Sequence, residues 1–311
     1  MASGYYTNFC LLSRGGGERL DKTLAALFPA HPRAALRELI ERGAVRLDGA
    51  PALRPARRAK GGEEIGADFS ALPVRRGDEV AAENLPLAVI YEDRDILVIN
   101  KPAGIVMHPG RGNRDGTVQA ALLFRNPPAA ALPRGGIVHR LDKDTTGLFV
   151  AAKTEAARLS LLAQFKSRSV RREYLALAHG APDATGIVNR PLAPHRNAPG
   201  KMAVRHKGKE AVTRFAVVRR WKNFSLLRCW LETGRTHQIR AHLEYAGYPI
   251  AGDPAYSRRA RDLPFGMPRQ ALHAEVLHLT HPKTGEELTW RAPLPEDMQA
   301  ALDFLDRAAR A

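Results

Sequence analysis

The stretch Ile137-Val138-His139-Arg140-Leu141-Asp142-Lys143-Asp144-Thr145-Thr146-Gly147-Leu148 sets a carboxylate, Asp142, two residues from a guanidinium, Arg140. It is short and charged, with Gly135-Gly136 before it and the apolar run Leu148–Ala152 after it. Such a loop belongs at the rim of a buried sheet, where rigid elements hold functional side chains. A carboxylate there can act as a nucleophile or as a general base. Among apolar strands it tends to be protonated, because desolvation disfavours its charge, and a nearby guanidinium reverses that tendency.

Other constellations carry less. His139, His237 and His242 beside Asp142 suggest a metal site. The His237-x4-His242 pair lacks the helical glutamate of the HExxH pattern and no thiolate supports it, so no metal is expected. Gly110, Gly112 and Gly116 match neither a phosphate loop nor a dinucleotide fingerprint. No Gly-x-Ser-x-Gly elbow occurs. Arg219-Arg220 and Arg258-Arg259 read as solvated charge or phosphate contacts.

The rest of the chain must position the loop. Its 311 residues suffice for one large domain or two unequal ones, and an apolar content of 44% allows a substantial core. The net charge of +16 points to a polyanion, RNA or DNA. Cys10 and Cys229 are the two cysteines, far apart, which fits a reducing cytoplasm rather than a disulfide framework. No apolar run approaches membrane-spanning length, and residues 1–15 show no secretory pattern.

Residues 1–17 read as a flexible tail. Leu20, Leu24, Leu27 and Phe28 follow at helical spacing, with Pro29 as a stop. A second helix starts near Pro32, carries Leu36, Leu39 and Ile40, and ends at Gly43. Val45–Leu47 and Asp48-Gly49 give a strand and a turn. Arginines cluster on this unit, and Arg33 and Arg37 are its candidate RNA contacts. Two small helices and short strands with basic residues resemble the RNA-binding domain of ribosomal protein S-four. A capping subdomain with a solvated basic face has the same pattern. The expected division is a small α/β RNA-binding domain at 18–75, a linker at 76–86 and a catalytic domain at 87–311. In the last, strands are expected at 96–99, 174–178, 224–231 and 272–280, and helices at 155–166, 236–246 and 295–309. The fold class is α+β, with a mixed, mainly antiparallel sheet and flanking helices.

The loop HRLDKDTTG resembles the signature of the RluA family of pseudouridine synthases. Three further blocks agree in order: Val98–Gly104 running to Val106–Gly110, then Arg172-Glu173-Tyr174, then Glu232–Arg240 with Gly252-Asp253-Pro254 after it. The tail Arg269–Ala274, His281-Pro282 and Ala292–Pro295 also agrees, so the resemblance spans about residues 18–305. Thr146 stands where many relatives have serine, and residues 191–209 are less securely aligned.

The resemblance implies isomerisation of uridine in RNA. The N-glycosidic bond breaks, uracil turns, and a carbon–carbon bond forms to the same sugar. It assigns the reactive carboxylate to Asp142, by covalent attack or by proton abstraction through a glycal, with Arg240 as its charge partner. Tyr174 stacks on uracil and shares in proton movement from C5. Arg140, with His139 beside it, replaces the flipped base. No cofactor is needed. The implied partner is 23S ribosomal RNA or a large-subunit assembly intermediate, with the helix 69 stem-loop favoured and the protein monomeric and cytoplasmic. Alternatives are other ribosomal or transfer RNA sites, or a non-catalytic ribosome-assembly factor. A glycosidase-like hydrolase needs a second carboxylate by Asp142, for which Asp144 is available.

Overall fold

A computed structural model describes residues 7–10, 17–28, 33–69, 80–110, 113–257 and 263–310. The expected stop at Pro29, the start at Pro32, residues 76–79 of the linker, most of the tail, Gly112 and Arg258-Arg259 lie outside the described residues. The chain divides into two compact units, Met1–Glu79 and Val80–Ala311.

The first unit holds β1 (Thr7–Cys10), α1 (Leu20–Leu27), α2 (Arg33–Glu41), β2 (Val45–Leu47), β3 (Ala50–Pro51) and β4 (Glu64–Ala67). The apolar faces of both helices supply Leu20, Leu24, Leu36, Leu39 and Ile40, which pack on Val45, Leu47 and Ile65 of the sheet. Asp48 and Gly49 take φ of 49° and 78°, the pair of left-handed residues that a tight hairpin turn requires. The tail expected over 1–17 is corrected at β1. Its backbone pairs antiparallel with β4 from Thr7↔Ala67 to Cys10↔Glu64, using a ladder edge that would otherwise stay unpaired.

Arg33 does not stand free on α2. Its guanidinium reaches the buried Asp21 at 2.7 Å, and Arg19 holds the other carboxylate oxygen. Burial opposes that charge, but the Arg19 and Arg33 hydrogen bonds outweigh it and keep the Asp21 carboxyl below its ordinary range. Arg33 is therefore first a structural cation, although its side chain remains half-exposed. Arg37 faces solvent and is only loosely paired with Glu41, at 3.7 Å.

The second unit is built on β5 (Ala88–Glu92), β6 (Ile96–Lys101), α3 (Val118–Arg125), β7 (Thr146–Ala152), α4 (Glu155–Ser167) and β8 (Arg171–His179). It continues with β9 (Thr185–Asn189), β10 (Leu192–Pro194), β11 (Met202–Val204), β12 (Val212–Arg220), β13 (Phe224–Leu231), α5 (Gln238–Tyr245), β14 (Leu272–Thr280), β15 (Glu287–Arg291) and α6 (Glu296–Ala308). A nine-stranded sheet runs β5-β6-β7-β14-β8-β13-β12-β9, with β15 also on β14, while β10 and β11 pair separately. Among the described residues the pairing is antiparallel except between β7 and β14. β7 is buried along its whole length, as a strand covered on both faces must be.

The β7–β14 junction lies directly behind the HRLD loop. Gly147, at φ 112°, meets the β14 backbone so closely that a Cβ would fall 2.3 Å from the Ala274 carbonyl oxygen. Next to it, Thr146 donates to Nδ1 of His273 at 2.8 Å while His273 Nε2 faces the Ala292 carbonyl. Burial pushes the His273 imidazole down to about 4 and that of His139 to about 3. Unfolded histidines titrate near 6.5. Below that pH the unfolded chain binds more protons than the native one, so stability falls as pH drops toward 4. Urea midpoints should decline between pH 7 and 4.5. His273→Asn should flatten that decline by up to about 1.4 kcal/mol per pH unit.

Candidate active site

The loop 137–145 emerges from two short 3-10 turns, Pro127–Ala131 and Pro133–Gly136, and feeds β7. Its backbone is held from below. Lys101 is fully buried, and its ammonium donates to the carbonyls of Pro102, Ile105 and Lys143 at 2.7, 3.0 and 2.8 Å. Burial lowers this amine to about 8, with Asp144 and Asp142 opposing. Arg269 donates to the Asp144 carbonyl at 3.0 Å, and Gln270 reaches Thr145 Oγ1. Leu141 is buried, so Asp142 is turned outward from an anchored turn.

His139 was expected at the RNA interface. The structure makes it first a scaffold residue. Its ring lies between Phe149 and Phe165, with centroids 4.6 and 4.9 Å away. Nε2 accepts the Val150 N–H at 3.0 Å, which puts the ring hydrogen on Nδ1. Arg140, the next residue, is exposed and lines the cavity in front of Asp142.

That cavity has a volume of about 560 Å³ and is also lined by Asp142, Tyr174, His237 and Arg240. The size is that of a small-molecule site. Arg240 Nη1 donates to Asp142 Oδ2 at 3.1 Å, and its Nε and Nη2 hold both oxygens of Asp253 at 2.7 and 2.9 Å. Asp253 is fully buried and also accepts the N–H groups of Ala255 and Tyr256. Burial works against the guanidinium charge, but the hydrogen bonds and charges of Asp253 and Asp142 raise the Arg240 pKa well above normal. A permanently charged fork thus bridges a buried carboxylate and a cavity-facing one.

Tyr174, on β8, is buried. Burial raises its hydroxyl pKa, the Arg172 charge opposes that rise, and Asp142 adds to it. His237 Nε2 lies 4.0 Å from Asp142 Oδ1. Tyr256 donates to the Met202 carbonyl, so its oxygen accepts from His237 Nδ1 at 3.0 Å. The His237 imidazole is lowered by burial, with Asp142 opposing, and in its neutral form turns the Nε2 lone pair toward Asp142. The Tyr256 ring lies under the Arg240 guanidinium at 5.0 Å.

The sequence brought forward Asp142, Arg240, Tyr174 and Arg140, and all four meet at this cavity. His237 was weighed as a metal ligand, and Asp253 stood in a matching block without a role. Tyr256 was missed, its one signal being its place three residues after Asp253. Helix α5 starts at Gln238 rather than at Thr236, because His237 takes a left-handed φ of 54°. The turn before it is closed by the Gln238 amide, whose oxygen accepts from Thr233 and from the Arg235 N–H. Asp144 does not line the cavity, and Glu232, which does, is bound to Arg214. The paired carboxylates that a glycosidase-like hydrolase needs are therefore not assembled at Asp142 among the described residues.

A family model described as RNA pseudouridylate synthase matches residues 95–245, and an S4 domain model matches residues 18–65. The chain is 45% identical over 301 residues to ribosomal large subunit pseudouridine synthase D of Haemophilus influenzae, covering 93% of this chain and 91% of that one. It is 45% identical over 306 residues to the protein of the same name from Pseudomonas aeruginosa, covering 94% of each. Among solved structures, human RNA pseudouridylate synthase domain containing 1 is similar at a TM-score of 0.56 and 27% identity, over 74% of this chain and 97% of that one. Human RNA pseudouridylate synthase domain containing 4 gives 0.55 at 25% identity, over 70% and 93%. With sequence identity carried across nearly the whole length, the chain belongs to the RluA-type family of RNA pseudouridine synthases and is an enzyme of that class bearing an S4 domain.

Proposed function

We propose that this enzyme converts uridines of large-subunit ribosomal RNA to pseudouridine in the cytoplasm, with the helix 69 stem-loop as its favoured target and Asp142 as the reactive group. The observation that carries the chemistry is Asp142 held at 3.1 Å by Arg240 at the wall of one cavity with Tyr174. The relatives named ribosomal large subunit pseudouridine synthase D support the class of RNA, and the stem-loop is the target that the family resemblance implies.

The target uridine leaves its stack at a cost of a few kcal/mol and enters the cavity. Arg140, exposed at the entrance, fills the space left behind and can stack there as a flat cation. Asp142 acts on the ribose, by attack at C1′ or by removing a sugar proton. The N1–C1′ bond breaks, uracil turns, and C5 bonds to C1′, displacing the Asp142 carboxylate in the first course or as Asp142 returns the sugar proton in the second. The C5 proton then leaves through the Tyr174 hydroxyl, which takes it up while passing its own proton on, and N1 is left protonated. Arg240 fixes the carboxylate's direction and compensates its charge throughout.

Wild-type protein incubated with deproteinised ribosomal RNA should create new carbodiimide-dependent reverse-transcription stops. Stops outside the large-subunit RNA, or at no uridine of helix 69, would overturn the substrate reading. The N-terminal unit supplies affinity through exposed arginines such as Arg37 and Arg54. Replacing both by glutamine should lower the slope of log affinity against log salt by about 1–2 while leaving kcat at saturating RNA unchanged. An unchanged slope would remove this unit from the RNA interface.

A further inference from the structure

Arg172 precedes Tyr174 by two residues on β8, so the two side chains project from one face of the strand. Both line the cavity with Asp142. Arg240 there is bound to two carboxylates, whereas the Arg172 guanidinium makes no hydrogen bond or ion pair among the described residues, and its buried Nε–H has no acceptor. The guanidinium is held by packing against its neighbours. Its Cζ lies 5.3 Å from the centroid of Phe165, a cation over an aromatic face. Gly234 makes room on another side, since a Cβ there would stand 3.0 Å from Arg172 Nη1.

The neighbouring group has the same deficit. Phe165 stacks on His139, whose Nδ1–H is buried without an acceptor. Buried donors are nearly always satisfied, and an unmade bond costs about 1–3 kcal/mol. This wall therefore presents to the cavity a guanidinium charge that no acceptor among the described residues holds. Its missing complement is an anionic oxygen.

We propose that Arg172 binds a backbone phosphate next to the target uridine, and so fixes the RNA strand while the base is presented to Asp142 and Tyr174. The planar guanidinium matches two non-bridging phosphate oxygens, a geometry that lysine cannot copy. The proposal rests on the cavity being the uridine site. It adds the contact that holds the strand in place, distinct from Arg140, which replaces the base.

The test uses a synthetic helix 69 stem-loop. Affinity is measured in an Asp142→Asn background, so that the readout does not depend on turnover. Arg172→Gln should weaken binding about tenfold and reduce the salt slope by about 0.7, the signature of one lost phosphate contact. Arg172→Lys should recover the slope but little of the affinity. In a series of stem-loops each carrying a single neutral methylphosphonate linkage, one position should cost the Arg172 protein as much as the glutamine variant loses. That same linkage should cost the glutamine variant nothing more. In the active background KM should rise more than kcat falls. Gly234→Ala, which crowds the guanidinium without removing its charge, should weaken binding to a lesser degree, and it carries the test if Arg172→Gln fails to fold.

An unchanged salt slope, or the lack of any linkage whose effect vanishes in the variant, would overturn the phosphate contact. A fall in kcat at constant KM would overturn it too, by assigning Arg172 to Tyr174 instead. If the wild-type enzyme forms no pseudouridine in the stem-loop, the substrate reading fails, while the affinity data still decide the role of Arg172.

Discussion

Asp142→Asn is expected to lower pseudouridine formation by about 10⁴-fold while RNA affinity stays within a factor of a few. The substitution keeps the shape of the side chain and removes the charge that both chemical courses require. Arg240 would remain paired through two hydrogen bonds with Asp253, so the fold should change little. Carbodiimide mapping and a filter-binding isotherm on the same preparation separate the two effects. Conversion at the wild-type rate would mean that another group attacks the ribose.

Arg240→Met is expected to damage both stability and activity. Asp253 is fully buried and would lose the two hydrogen bonds that neutralise it, keeping those from the Ala255 and Tyr256 backbones. Breaking a buried ion pair from one side costs about 3–5 kcal/mol, because the remaining charge has neither water nor partner. Urea unfolding should show that loss directly. The double variant Arg240→Met with Asp253→Asn removes the orphaned charge and should regain most of the stability. It should regain none of the turnover, because Asp142 still lacks its guanidinium. Arg240→Lys makes the complementary point: one ammonium cannot fork across two carboxylates, and turnover should fall about 10²–10³-fold with a smaller stability loss. Recovery of activity in the double variant would show that Arg240 acts through the fold alone.

The strands and helices with strong apolar patterns were readable from sequence. Phe224–Leu231 and Leu272–Thr280 appear with the bounds expected, and the helices at 155 and 296 begin within one residue of theirs. Some elements not anticipated have a pattern diluted by solvent, although α3, which buries Val118, Ala120, Ala121, Leu122 and Leu123, was not anticipated either. β15 alternates exposed and half-buried residues, and β9 buries a single position. β1 carries too few residues to announce itself and owes its form to the partner strand. At the site, Asp142, Tyr174, Arg140 and Arg240 were legible because each sits in a block of distinctive residues. Asp253, Tyr256 and His237 were not assigned their roles, since each acts through a partner that only the fold supplies. The left-handed backbone at His237 has no propensity signal, because it is imposed by the contacts around it.

The brace behind the reactive loop comes from the far end of the chain. Thr146 meets His273 across 127 residues, and Arg269 reaches back 125 residues to Asp144. A chain emerging from the ribosome therefore carries Asp142 long before the fold can position it. The N-terminal unit, whose strand pairings close within its own residues, can fold while the rest is still being made. The carboxylate is set only once β14 inserts between β7 and β8. On the proposed function, recognition thus matures ahead of reactivity during synthesis, and a polypeptide released before β14 is made is expected to hold RNA but not to rewrite it.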